Sequence, residues 1–296
     1  MFRGMGVSPI LLLIKGGAVT PSTSMYLMLL SGPLMLLVAL IFIIGWRRRS
    51  HAAFRWFLVG AGVWTVGVIM KFVAAAGISI PVYFALGKPT DYAAALSQLS
   101  WGWILLSALC SGALTGVFEI GVTYLAARIW RSMTTDAGRA VAVGVGAGAF
   151  EAMLLGLAVL VGIPVALFGL PDAEVGKKEL MRSMAITPAL WLVPVVERLI
   201  ALLCHISSRA LVLLSVAKNR LSYFWCGFLI LTAVDAVAGY FDTSGQVMKI
   251  NTWWIELAIA PLAIISIPII RWCIRNWPKT EMPVEAASEG LIVENG

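Results

Sequence analysis

The sequence predicts an all-α integral membrane bundle of about seven transmembrane helices, on three observations. Hydrophobic residues make up 60% of the 296 and charged residues only 12%, with a mean hydropathy of +0.92. The apolar residues gather in runs of roughly 20 or more, the length a helix needs to cross a bilayer. Lys and Arg concentrate in every second connection between those runs.

The runs read at 25–46, 56–86, 101–127, 140–166, 187–216, 221–240 and 253–272. Ile10–Ile14 is too brief for a span, and no small-residue cleavage site follows it, so no cleaved signal peptide is expected. The first connection carries Arg47, Arg48, Arg49 and Arg55, the third Arg128, Arg131 and Arg139, the fifth Lys218 and Arg220, and the C-terminal flank Arg271, Arg275 and Lys279. The alternate connections hold Lys88 alone, Lys177, Lys178 and Arg182 diluted by Asp172, Glu174 and Glu179, and Lys249 alone. Basic residues stay on the cytoplasmic side, so the N-terminus is expected outside and the C-terminus inside. Trp101, Trp103, Trp253 and Trp254 at outer ends and Trp46, Trp130 and Trp272 at inner ends fit interfacial belts. The net charge of +7 reads as anchoring beside anionic lipid, and with no basic soluble domain a nucleic-acid partner is not expected. Residues 1–279 read as one transmembrane domain, and the acidic, apolar-poor 280–296 as a disordered cytoplasmic tail.

Within the runs, Gly144 and Gly148 form a GxxxG pair suited to close helix contact, which suggests that the fourth helix is central. Pro188 and Pro194 are expected to kink the first half of the fifth. The cysteines Cys110, Cys204, Cys226 and Cys273 are scattered without paired spacing and read as small buried hydrophobes.

Charges at membrane depth are costly and face a protein interior or a wet cavity. At about 1.5 Å per residue, Glu119, Glu151, His205 and Asp235 lie roughly 13, 18, 20 and 22 Å from the cytoplasmic edge, one layer on four helices. Glu197 lies about 12 Å beyond His205, a separate level. Glu197 and Arg198 are about 100° apart on one helix and are not expected to pair with each other. Arg198 should instead meet a carboxylate on another helix, with Glu151 and Asp235 nearest in depth and Glu119 a further choice. A carboxylate beside an imidazole in a low-dielectric cavity can hold and deprotonate water, with the imidazole stabilising an oxyanion or binding a metal. Glu119, with Thr123 one turn later, is the first candidate for the base. Helix-to-helix hydrogen bonding would also account for Glu151 and Asp235.

Four segments together resemble the YhfC-type family of intramembrane metalloproteases, related to the CAAX-protease and bacteriocin-processing (CPBP, or Abi) superfamily, over about residues 105–240. GVFEIGVTYL, 116–125, is similar to the family's Gly-x-Phe-Glu-Glu-x-x-Arg-Tyr-Leu, with Glu119 at the first Glu, Ile120 in place of the second and Thr123 in place of the Arg. GVGAGAFEAMLLG, 144–156, is similar to Gly-x-Gly-His-Gly-x-x-Glu, with Glu151 present and Ala147 at the His. ERLIALLCHISSRALVL, 197–213, carries Glu197, Arg198 and His205 at the family's spacing. ILTAVDAVAGY, 230–240, places Asp235 at the end of a His-x-x-x-Asp whose His is Leu231.

The resemblance implies an endopeptidase acting on membrane-anchored or membrane-inserted polypeptides near the cytoplasmic leaflet, in a bacterial cytoplasmic membrane. Glu119, His205, Glu151 and Asp235 would be catalytic and Glu197, Arg198 and Thr123 supporting. It leaves the metal open: a divalent ion belongs to the family's name, yet a three-ligand site built from histidines is not expected where the family histidines are replaced. Two other readings use the same residues, an inactive member that binds or assembles with a membrane protein, and a proton- or ion-coupled carrier.

Overall fold

The computed structural model describes residues 26–85, 100–168, 173–248 and 251–278. Ile10–Ile14, Lys88, Asp172, Lys249, Lys279 and the tail 280–296 lie outside the described residues, as do the side chains of Glu174, Lys177, Lys178 and Glu179. The described chain is helical throughout, and seven of its helices are long and apolar enough to cross a membrane. The protein is an integral membrane protein. We label the helices α1 (Ser31–Ser50), α2 (Arg55–Ala85), α3 (Trp101–Thr115), α4 (Gly121–Ile129), α5 (Ala137–Phe168), α6 (Ala173–Ile186), α7 (Val193–Lys218), α8 (Leu221–Met248) and α9 (Trp253–Arg275). A π-helical turn, Gly116–Ile120, joins α3 to α4 into a single span.

The central helix is α7, not α5. In the fifth candidate span, Leu190–Lys218, 89% of the apolar window is buried, against at most 39% in any other. A helix surrounded on all sides can carry polar groups on every face because each face finds a protein neighbour. The GxxxG pair does make the close contact that its spacing suggests: a Cβ at Gly144 or Gly148 would lie 2.8 or 3.0 Å from the Cα of Ile206 or Leu202 on α7. The two prolines lie outside the interior of the fifth span's helix, where they were expected to kink it: Pro188 sits in the turn before the helix and Pro194 in its first turn, where no intrahelical N–H is lost. The short α6 precedes that turn; its mixed charged and apolar sequence had read as connection alone.

Small residues set the other close approaches. A Cβ on Gly67 of α2 would lie 2.8 Å from the Glu119 Cα, and one on Gly112 of α3 would overlap the Thr232 carbonyl of α8. These two contacts bring α2, the π turn and α8 near enough for the side chains one turn along each helix to meet.

Candidate functional site

Seven charged side chains and one imidazole from five of the spans form a continuous buried chain. It begins on α8, where the Thr115 hydroxyl from the end of α3 donates to Asp235 Oδ2, and Lys71 Nζ of α2 stands 3.6 Å from the same oxygen. Lys71, the residue one turn after Gly67, donates to Glu119 Oε1 at 2.7 Å and to Thr115 Oγ1 at 3.2 Å. Arg209 of α7, with no exposed surface, reaches the other oxygen of Glu119 at 3.4 Å and meets His205 Nδ1 one turn back. His205 Nε2 lies 2.7 Å from Glu151 Oε2. Arg198 closes the chain, donating to Glu151 Oε1 at 2.6 Å and to Glu197 Oε1 at 2.9 Å.

Hydrogen-bond roles fix the tautomer of this histidine. A guanidinium has no acceptor, so Nδ1 accepts from Arg209 and Nε2–H donates to Glu151. One chain of contacts thus joins four carboxylates with three cations and an imidazole. Such compensation is what makes buried charge tolerable.

The structure therefore brings together Glu119, Glu151, His205 and Asp235, the layer that depth arithmetic had grouped. It places Arg198 against Glu151, as expected from depth. Two expectations are corrected. Glu197, about 12 Å along α7 from His205, does pair with its neighbour Arg198, whose long side chain spans the 100° between them, and both line the cavity that holds Asp235. Thr123 does not face the Glu119 carboxylate; its hydroxyl bonds back to the Glu119 carbonyl at 2.7 Å, the local bond that buried helical threonines make. Lys71 and Arg209 escaped the sequence reading although each left a signal, one as the lone charge in the second apolar run, the other as a charge four residues after His205.

A cavity of about 30 Å³, room for one or two waters, lies among Glu151, Glu197, Arg198, His205 and Asp235. Glu119 does not line it. The carboxylate stands behind Lys71 and Arg209, in a π turn of the kind often found at functional positions.

The profile of the YhfC intramembrane metalloprotease family matches residues 34–259. The chain belongs to that family. No curated protein and no solved structure matches it.

The residues present do not fit the family's metal. Among the described residues no three His, Cys, Asp or Glu side chains converge as a ligand set. The carboxylates that could serve are held by cations: a divalent ion at Glu119 would sit against both Lys71 and Arg209, and one at Glu151 against Arg198. His205 has both nitrogens engaged. The positions where the motif resemblance would place polar groups are packed with apolar ones: Ile120 and Leu231 are buried together with Val212, Tyr124, Phe224 and Phe228, and Ala147 is fully buried. A hydrophobic cluster thus occupies the positions of Ile120 and Leu231.

Proposed function

We propose that this chain is an intramembrane endopeptidase of the YhfC family that activates water without a bound metal, at the cavity between α5, α7 and α8. The observation that carries the reading is the composition of that cavity: a carboxylate, Asp235, and a guanidinium, Arg198, face a space with room for water and are each held in place from behind. Asp235 is the base. It takes a proton from the water as the oxygen attacks the scissile carbonyl carbon, and returns it to the amide nitrogen as the C–N bond breaks. Arg198 uses two of its five N–H donors on Glu151 and Glu197, leaving others for the oxyanion. Thr115 and Lys71 position Asp235, while His205 and Glu197 position the Glu151–Arg198 pair.

Glu119 and His205 are then positioning groups rather than base and oxyanion donor. The substrate remains a membrane-anchored or membrane-inserted polypeptide. With the N-terminus outside in a bacterial cytoplasmic membrane, the cavity lies in the outer half of the bilayer. Its lining includes Ile259, six residues into α9, about 9 Å from that helix's outer end. Cleavage toward that face replaces the expectation of cleavage near the cytoplasmic leaflet.

A second reading is favoured by one observation, the pairing of every carboxylate in the layer with a cation, which suits a member that binds a membrane protein without cutting it. Reconstitution into liposomes with a membrane-inserted polypeptide library separates the two. Under the peptidase reading Asp235→Asn lowers the cleavage rate about 10²-fold or more while thermal stability is kept. No cleavage by the wild-type protein, with a polypeptide retained on purification, supports the binding reading.

A further inference from the structure

A second concavity lies on the opposite side of α7 from the charged layer. Ile41, Gly45 and Arg49 of α1 form one wall, Ile270 of α9 the other, and Val145 of α5 with Ile206 of α7 the floor. On α7 the floor residue Leu203 lies about 160° around the helix from both Ala201 and His205, and Ile206 about 100–140° from them, so this groove and the charged cavity do not share a face. The groove is apolar apart from Arg49 and opens sideways, where Ile41 is 57% exposed.

The groove holds about 400 Å³. Ile41 to Arg49 covers about 12 Å of helix axis. An extended hydrocarbon chain matches a slot of this length that is apolar along its walls and carries an arginine at one end. The same end of both walls is basic, with Arg47, Arg48 and Arg49 closing α1 and Arg271 and Arg275 closing α9. Trp46, whose indole nitrogen is fixed on the Gly138 carbonyl at 2.9 Å, marks the interface at that end. Gly45 leaves the groove open, for a Cβ there would meet nothing within 4 Å.

We propose that this groove binds one acyl chain of an anionic phospholipid, with the lipid phosphate at Arg49. The chain fills the slot between α1 and α9, and the guanidinium at its mouth selects the charged headgroup.

Native mass spectrometry of the full chain, delipidated and then exposed to equal phosphatidylglycerol and phosphatidylcholine, tests this directly. The wild-type protein should retain one phosphatidylglycerol per chain in at least tenfold preference. Gly45→Phe, which fills the slot without displacing backbone, should lower retention at least tenfold, and Gly45→Ala should leave it close to wild type. If the Phe variant fails a thermal-melt control, Ile41→Trp blocks the same slot from the lipid side and takes its place. Arg49→Gln should keep lipid but lose the headgroup preference. Equal retention by the blocked variant, no preference in the wild-type protein, or a photo-crosslinker at residue 41 that captures polypeptide rather than lipid would each overturn the proposal.

Discussion

Arg198→Met probes the charged layer at the point where the structure gives it most to lose. Arg198 is 5% exposed, and its guanidinium spans Glu151 at 2.6 Å and Glu197 at 2.9 Å. Methionine keeps much of the stem's volume and removes the charge, leaving Glu151 with His205 as its remaining named partner and Glu197 beside a thioether. Removing one partner of a buried ion pair costs about 3–5 kcal/mol, chiefly because the other charge stays buried without compensation. That corresponds to a change of two to three powers of ten or more in the unfolding equilibrium. Denaturant unfolding in detergent micelles, followed by circular dichroism, measures it. The diagnostic comparison is the double variant Arg198→Met/Glu151→Gln, which takes away the stranded charge as well. It should recover a part of the loss, with a coupling energy of about 1–3 kcal/mol. If Arg198→Met stays within about 1 kcal/mol of the wild-type protein, or the double variant loses the simple sum of the single effects, then the pair does not hold α5 to α7 and the layer has been misread.

Lys71→Met should destabilise by a similar amount, about 3 kcal/mol, since Glu119 and Asp235 would face each other without the ammonium between them, and adding Glu119→Gln should restore part of it by the same unfolding assay. Topology is testable at the two ends of the third span, where Ser100 and Ser132 are both exposed. In a background lacking Cys110 and Cys226, a membrane-impermeant thiol reagent should label Ser100→Cys from outside and Ser132→Cys only from the cytoplasmic side, and labelling of both from one side would remove the orientation.

Much of this architecture was legible in the chain. All seven spans follow from run length, and the four-residue layer follows from counting rise per residue, because depth depends only on sequence distance from a helix end. The phase of each helix about its axis does not follow in that way. The π turn at Gly116–Ile120 inserts extra backbone before α4, so the face that Glu119 presents cannot be projected from α3. Side-chain reach escaped for a similar reason: Glu197 and Arg198 project in different directions at the backbone, and only the flexible guanidinium stem lets them pair. Lys71 and Arg209 were written plainly as charges in apolar runs. The motif resemblance drew attention to the groups at its own positions, and these two cations are not among them. The glycine pattern of α5 indicated close packing correctly but not which partner lies at the centre, since a small-residue face fits either member of a helix pair.

The central claim is that Lys71, Arg198 and Arg209 stand where a metal-dependent site would need free ligands. Its most direct test is cleavage by the reconstituted protein after exhaustive chelation, with zinc and other transition metals quantified in the same sample. The account predicts an unchanged cleavage rate at a metal content far below one ion per chain. Loss of activity on chelation, restored by stoichiometric zinc, would contradict it.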